Sequence, residues 1–359
     1  MNQRLIAAMV AAPLVLGLLL SAAFVPLPYV VYRPGLTVDV LGAQEDGREI
    51  VQVDGAESYP HEGQLRMTTV TVTPPKPAKV NLLELMTAWV DGQDAVVPYD
   101  NVYRPDETQE ENDQEGAAQM SGSQNAAVGV ALTELGYDVR AVGVADVEPD
   151  GPADGVLRAG DVVTAVGGEP TAQPEQLIEA VGAATPGEPL ELSVQRGSGD
   201  RELSITPERT DGQTRIGISV APTFTRFPVD VQVGIPPQIS GPSAGLIFSL
   251  AIYDTMTPGS LVGDHTVAGT GEIFDDGSVG PIGGIDQKIA GARRDGADLF
   301  LVPADNCADA ADADPGDMRL VLATTMHEAR LAIEEWVEDP DADLPSCEDL
   351  ESATAGAAA

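Results

Sequence analysis

Ser243 lies in ISGPSAGL, between glycines and directly ahead of SAGLIFSLAIYDTM, an apolar run that reads as a buried helix. A serine entering a helix has its hydroxyl among backbone N–H groups that lack intrahelical partners, and such donors can hold a developing oxyanion. Gly241 and Ala244 lie where those donors are expected, and Gly241 and Gly245 permit close backbone approach. The bland alternative is that Ser243 is an N-cap. Lys288 tips the balance. It is the only lysine in the last 280 residues of a chain with three lysines (Lys76, Lys79, Lys288) and sixteen arginines. In PIGGIDQKIAGA it shares an apolar helix face with Ile285 and Ala292. Burial disfavours the ammonium form, and a neutral amine is a competent general base for a serine hydroxyl. Arginine stays protonated and cannot take that role. The alternative is an ammonium group that snorkels past Ile285. In GTGE, Thr270 either orients the amine or is an ordinary strand threonine.

These groups need a folded scaffold. The 359 residues suffice for two to three domains, and 43% hydrophobic content supports a core. Nineteen basic against 57 acidic residues give a formal charge of −38, which repels phosphate backbones and argues against nucleic-acid partners. Two cysteines are too few for a zinc cluster or a disulfide scaffold. No metal and no cofactor is expected.

Residues 5–24 are an uncharged apolar run, long enough at about 1.5 Å per residue for a hydrocarbon core of about 30 Å. With Arg4 before it, a single transmembrane helix is expected, residues 1–4 forming a cytoplasmic stub and the bulk lying outside the cytoplasmic membrane. A cleaved signal peptide, with Ser21 and Ala23 before the cut, is the competing reading. Either way the compartment is oxidising, so a Cys307–Cys347 disulfide is expected, with two unpaired thiols as the alternative.

The remaining chain divides by pattern. Residues 25–49 read as a spacer. Strand-like alternation over 50–73, a helix over 80–90 and another over 117–135 fill 50–136; the acidic stretch 106–115 reads as a solvated loop. Residues 137–208 alternate short strands with turn residues. From residue 215 the pattern is α/β: a strand FPVDVQVGI, the helix after Ser243, a hairpin HTVAGTGEIF–DDG–SVGPI, the lysine helix, LFLVP, MRLVLATT and a closing helix MHEARLAIEEWVE. Residues 341–359 read as an acidic, Ala-rich tail.

Through GPADGVLRAGDVVTAVGGEP and the helix after it, residues 137–208 resemble a PDZ domain. The resemblance implies an extended peptide bound as an added strand, in a groove between the strand near Val139–Val147 and the helix bearing Leu177 and Val181. The alternative for those residues is ordinary core.

GPSAG, then TGE, then PIGG-x-x-x-K, in this order and spacing, resemble the proteolytic domain of Lon proteases over roughly 215–340. The resemblance implies a Ser243–Lys288 dyad, with Thr270 near the amine. It also implies an α/β (α+β) Lon-type proteolytic domain with the PDZ-like unit inserted and an N-terminal membrane anchor, as in membrane-anchored Lon-like peptidases of bacteria, and a possible homo-oligomer. No G-x-x-x-x-G-K-[ST] occurs in the 359 residues, so the expected activity is an ATP-independent serine endopeptidase that cleaves unfolded or flexible proteins, with the PDZ-like unit selecting them. Two other readings stand beside it. One is an α/β-hydrolase-type esterase using GPSAG, which needs a downstream histidine such as His327. The other is a non-catalytic PDZ scaffold.

Overall fold

A computed structural model describes residues 3–44, 46–75 and 80–350, with side chains from Met9 onward. Helix α1 (Gln3–Phe24) leads into β1 (Tyr29–Asp39), β2 (Val51–Asp54), β3 (Gln64–Val72), α2 (Leu82–Asp91), β4 (Ala95–Pro98) and the long α3 (Gln109–Glu134). Strands β5 (Arg140–Val147), β6 (Val162–Val166) and β7 (Glu169–Pro170) follow, then α4 (Pro174–Ala183), β8 (Leu190–Arg196), β9 (Gly199–Ile205), β10 (Glu208–Thr210), β11 (Gln213–Arg215) and β12 (Ile218–Phe224). The last third contains β13 (Asp230–Val233), α5 (Gly245–Met256), β14 (Thr266–Gly269), β15 (Glu272–Ile273), β16 (Val279–Gly280) and α6 (Ile285–Arg294). It closes with β17 (Leu299–Pro303), α7 (Cys307–Ala310), β18 (Arg319–Ala323) and α8 (Met326–Glu338).

The central sheet has the order β18-β17-β14-β3-β1-β4. Strands β18, β17, β14 and β3 run parallel, whereas β1 and β4 join antiparallel. Alternate residues of a strand face opposite sides. Val267, Leu299, Leu301 and Val321 therefore enter the core under α3, α5 and α8, while Ala268, Phe300, Val302 and Leu322 pack under α6 and α7. A strand buried on both faces must be apolar throughout, and LFLVP is. Two helix layers thus sandwich the sheet. Val51–Asp54 pairs with β13, and β3 pairs with β14, so residues before α3 share one core with residues after β12.

Several boundaries differ from expectation. Residues 29–39, expected within a spacer, form an eleven-residue strand of this sheet; Pro34 and Gly35 hide it in the sequence because they sit at a register break. The stretch 106–115, expected as a loop, starts α3: Thr108 and Glu111 form a capping box, and carboxylates in a first turn face the positive end of the helix dipole. HTVAG is a strand of the central sheet, which leaves only β15 and β16 as the hairpin. Of the expected tail, Leu344 is buried and the Pro345 carbonyl accepts from Leu322 N–H; residues 351–359 lie outside the described residues. So do Lys76 and Lys79.

The second sheet has the order β12-β5-β6-β8-β9, with β7 beside β6, and α4 packs on it around its own core of Val142, Val163, Leu177, Leu192 and Ile205. It runs to Phe224, past the expected limit at 208. Phe224 also joins the main core, and its ring fills the space a Cβ on Gly129 of α3 would take.

Among the described residues no helix is long and apolar enough to cross a membrane. The part of α1 whose side chains are described, Met9 to Phe24, spans about 24 Å, and the side chains of residues 5–8 of the expected span lie outside that part. The apolar side chains of that part are nonetheless exposed, Leu14, Leu18 and Phe24 among them.

Cys307 and Cys347 are joined in a disulfide across a sequence separation of 40, which fastens the C-terminal segment to the α7 layer. A loop of that size restricts the unfolded chain by roughly 3–4 kcal/mol. Reduction is expected to lower the urea midpoint accordingly, read by equilibrium unfolding with and without dithiothreitol.

Candidate active site

The carboxyl end of β14 is where the two helix layers meet. Gly269 ends the strand and Thr270 follows. Helix α5, headed by Ser243 and Ala244, approaches from one face of the sheet, and α6, carrying Lys288, from the other. Each element is brought in by close backbone packing. Gly284 caps α6 at φ +71° with a left-handed backbone, and a Cβ there would lie 2.8 Å from Val70 Cγ1 of β3. A Cβ on Gly245 would lie 2.6 Å from both Ile273 Cγ2 and Ser123 Oγ. Neither site tolerates a side chain without movement of its neighbours.

Lys288 is 2% exposed. Its Nζ donates to Thr270 Oγ1 at 3.0 Å, and among the described residues it makes no salt bridge. Desolvation without a counter-charge pushes the amine down from 10.5 to about 7. Thr270, itself fully buried, donates to the Ser243 carbonyl at 2.9 Å. That carbonyl also accepts from Gly271 N–H at 2.8 Å. The path from amine to serine therefore runs Lys288 Nζ, Thr270 Oγ1, Ser243 backbone. It fixes both groups about one hydroxyl. Because the Thr270 proton is spent on the Ser243 carbonyl, its lone pair is what meets the amine. A neutral amine donating one proton there keeps its own lone pair free.

Ser243 is half-buried and heads α5. Its side chain is not hydrogen-bonded to Lys288; catalytic hydrogen bonds are often long in the absence of substrate and tighten with it. Ala244, the N-cap of α5, is buried, and its N–H makes no backbone hydrogen bond among the described residues. Gly241 does not serve as expected: its N–H donates to the Gly116 carbonyl at 3.0 Å and so is spent holding the loop.

Two residues of α3 hold this loop and were not anticipated. Besides Gly116, Ser123 donates from Oγ to the Pro242 carbonyl at 2.9 Å. They lie seven residues apart, two helical turns on one face. A spacing of small residues facing a glycine-rich loop was the available signal, but it gains meaning only once α3 is known to pack on α5.

His327 Nδ1 pairs with Glu134 at 2.7 Å, at the far end of α3, not with Ser243. Val139 also lies elsewhere than expected. It packs in the main core, not in a peptide groove. The edge of β5 is already occupied, because β12 pairs with it from Ile218–Val147 to Phe224–Arg140. The open groove lies one strand outward, between α4 (Leu177, Ile178, Val181) and residues 213–220. Leu177 and Val181 reach both that groove and the core beneath it.

Residues 126–206 match the PDZ domain family, and residues 219–331 match the Lon protease (S16) C-terminal proteolytic domain. Lon protease 1 of Sorangium cellulosum is 39% identical over 105 residues, 28% of this chain and 12% of that protein. Lon protease 2 of Bacillus subtilis is 42% identical over 114 residues, 32% of this chain and 18% of that protein. The chain thus spans under a fifth of the length of these curated relatives. The PDZ domain of an SdrC-like protein from Listeria monocytogenes is 28% identical, covering 23% of this chain and 88% of that chain, with a TM-score of 0.22. Ser243, Thr270 and Lys288 all fall inside the second match, so the chain combines a segment similar to PDZ domains with a segment similar to the proteolytic domain of Lon proteases.

Proposed function

We propose that the protein is a serine endopeptidase whose nucleophile is Ser243 and whose general base is Lys288. The observation that carries this reading is a fully desolvated lysine, without a counter-charge, hydrogen-bonded to a threonine that itself grips the Ser243 backbone. The neutral amine accepts the Ser243 Oγ proton as Oγ attacks the scissile carbonyl. The N–H at Ala244 faces the resulting oxyanion. The ammonium formed returns its proton to the leaving amine, giving an acyl-enzyme. Lys288 then deprotonates a water, which releases the acyl group and restores the Ser243 hydroxyl. Ser243→Ala should abolish cleavage of an unstructured protein such as casein; undiminished cleavage would remove the dyad.

The absence of a P-loop from these 359 residues leads us to propose that flexible substrates are cleaved without nucleotide. Added ATP should then leave casein turnover unchanged. The PDZ groove selects among such substrates. Ile178 lines it and is exposed, so Ile178→Asp is expected to slow degradation of proteins with apolar C-terminal tails by about tenfold, with cleavage of short peptides unaltered. Competition kinetics on tailed and untailed substrates measure this.

We also place the catalytic part outside the cytoplasmic membrane, tethered by the apolar run 5–24. Support comes from the exposed apolar side chains along α1 and from the Cys307–Cys347 disulfide, a bond of oxidising compartments. Retention in the membrane pellet after alkaline carbonate washing is expected.

A further inference from the structure

We propose that α2 is an interfacial helix whose outer face lies in the headgroup boundary of a phospholipid bilayer and so holds the catalytic module against that membrane. This rests on the anchoring by α1 argued above.

Helix α2 buries only Leu85 and Ala88, against Val31 and Val80. Its other face carries Leu82, Leu83, Met86, Trp89 and Val90, at the three- and four-residue spacing of a single helix side. All five are exposed, Trp89 by 68% and Val90 by 86%. A surface helix in water normally turns charged residues outward. Here the only charges are Asp91, at the last residue, and Glu84, which is held by Arg33 at 3.0 Å. Trp89 is one of only two tryptophans in the chain, and the other, Trp336, is buried.

The place of α2 identifies the occupant. Leu27, three residues past the end of α1, donates its N–H to Val80 at 2.9 Å, and Asn81 then caps α2. Helices α1 and α2 also pack against each other. From Met9 onward the apolar side chains of α1 are exposed around its circumference, which a second protein surface would cover only along one stripe and lipid covers entirely. The medium that covers α1 therefore ends beside α2. An amphipathic helix at that level, with an indole and long apolar chains on its outer face, matches an interfacial segment.

The test uses the full chain in phosphatidylethanolamine–phosphatidylglycerol vesicles, with flotation as the measure of anchoring. The Trp89 signal is the difference in fluorescence between wild type and Trp89→Phe, a change at an exposed site. Blue-shifted Trp89 emission, quenched at least about twofold by lipids brominated near the headgroup and protected from aqueous iodide, is the expected result. A chain that floats while Trp89 stays open to iodide overturns the role of α2 and leaves the anchor standing. Quenching by neither agent overturns it in favour of a protein partner, a second copy of this chain included. A chain that does not float overturns both.

Discussion

Replacing Lys288 by Met should abolish proteolysis, by at least about 10³-fold, and at the same time make the protein harder to unfold. The two effects have one cause. The side chain is buried with no counter-charge, and desolvation lowers the amine to about 7. In the unfolded chain it titrates near 10.4. Between those values the unfolded state binds the additional proton, so stability rises with pH from about 7 to about 10.4, and at pH 7 burial costs on the order of 4 kcal/mol. Methionine has a similar shape and no charge to desolvate. Part of the gain is offset because Thr270 Oγ1 loses its donor, a loss of about 1 kcal/mol. The net effect expected is a Tm higher by at least about 4 °C at pH 7, shrinking as the pH is raised towards 10. Lys288→Arg serves as the contrast: it cannot be neutralised, and it should be both inactive and less stable. Calorimetry across pH together with casein turnover reads both halves.

Gly245→Ala should cost about 10²-fold or more in kcat and about 1–3 kcal/mol in stability, despite the better helix propensity of alanine. The new methyl group would lie 2.6 Å from Ile273 Cγ2 and from Ser123 Oγ, and 3.0 Å from the Ile273 backbone nitrogen. Ile273 belongs to β15, three residues after Thr270, and Ser123 holds the Pro242 carbonyl. One methyl group thus pushes on both supports of the Ser243 loop, and small misplacements at reacting atoms are expensive. Ser123→Ala removes one of these supports without adding bulk. A smaller fall in kcat, about five- to tenfold, with KM unchanged is expected for it. Steady-state kinetics on a fluorogenic peptide, paired with urea unfolding, separates the two variants.

What could be read from the residues was chemistry and local pattern. The solitary lysine on an apolar helix face, the serine before a continuous apolar helix and the PIGG turn all express themselves within a dozen residues. So does LFLVP, which must be buried on both faces. Pairing across long separations left no such trace. Strand β3 lies beside β14 although about 200 residues intervene, because the second sheet is inserted between them. The same blindness produced the error over Val139: alternation reveals which face of a strand is buried, not which strand covers its edge, and β12 covers that of β5. Residues 29–39 were obscured by Pro34 and Gly35, which usually punctuate strands and here mark a bulge within one. Gly116 and Ser123 act through a packed helix pair, so their role exists only in three dimensions.

The dyad stands or falls on the protonation of one amine. The chain contains three lysines, so selective labelling of lysine Cε with ¹³C gives three signals that can be titrated individually by NMR. One of them, absent from Lys288→Met, should shift with a midpoint near 7. A midpoint near 10.4 for that signal would show Lys288 charged at neutral pH and would contradict its role as the base for Ser243.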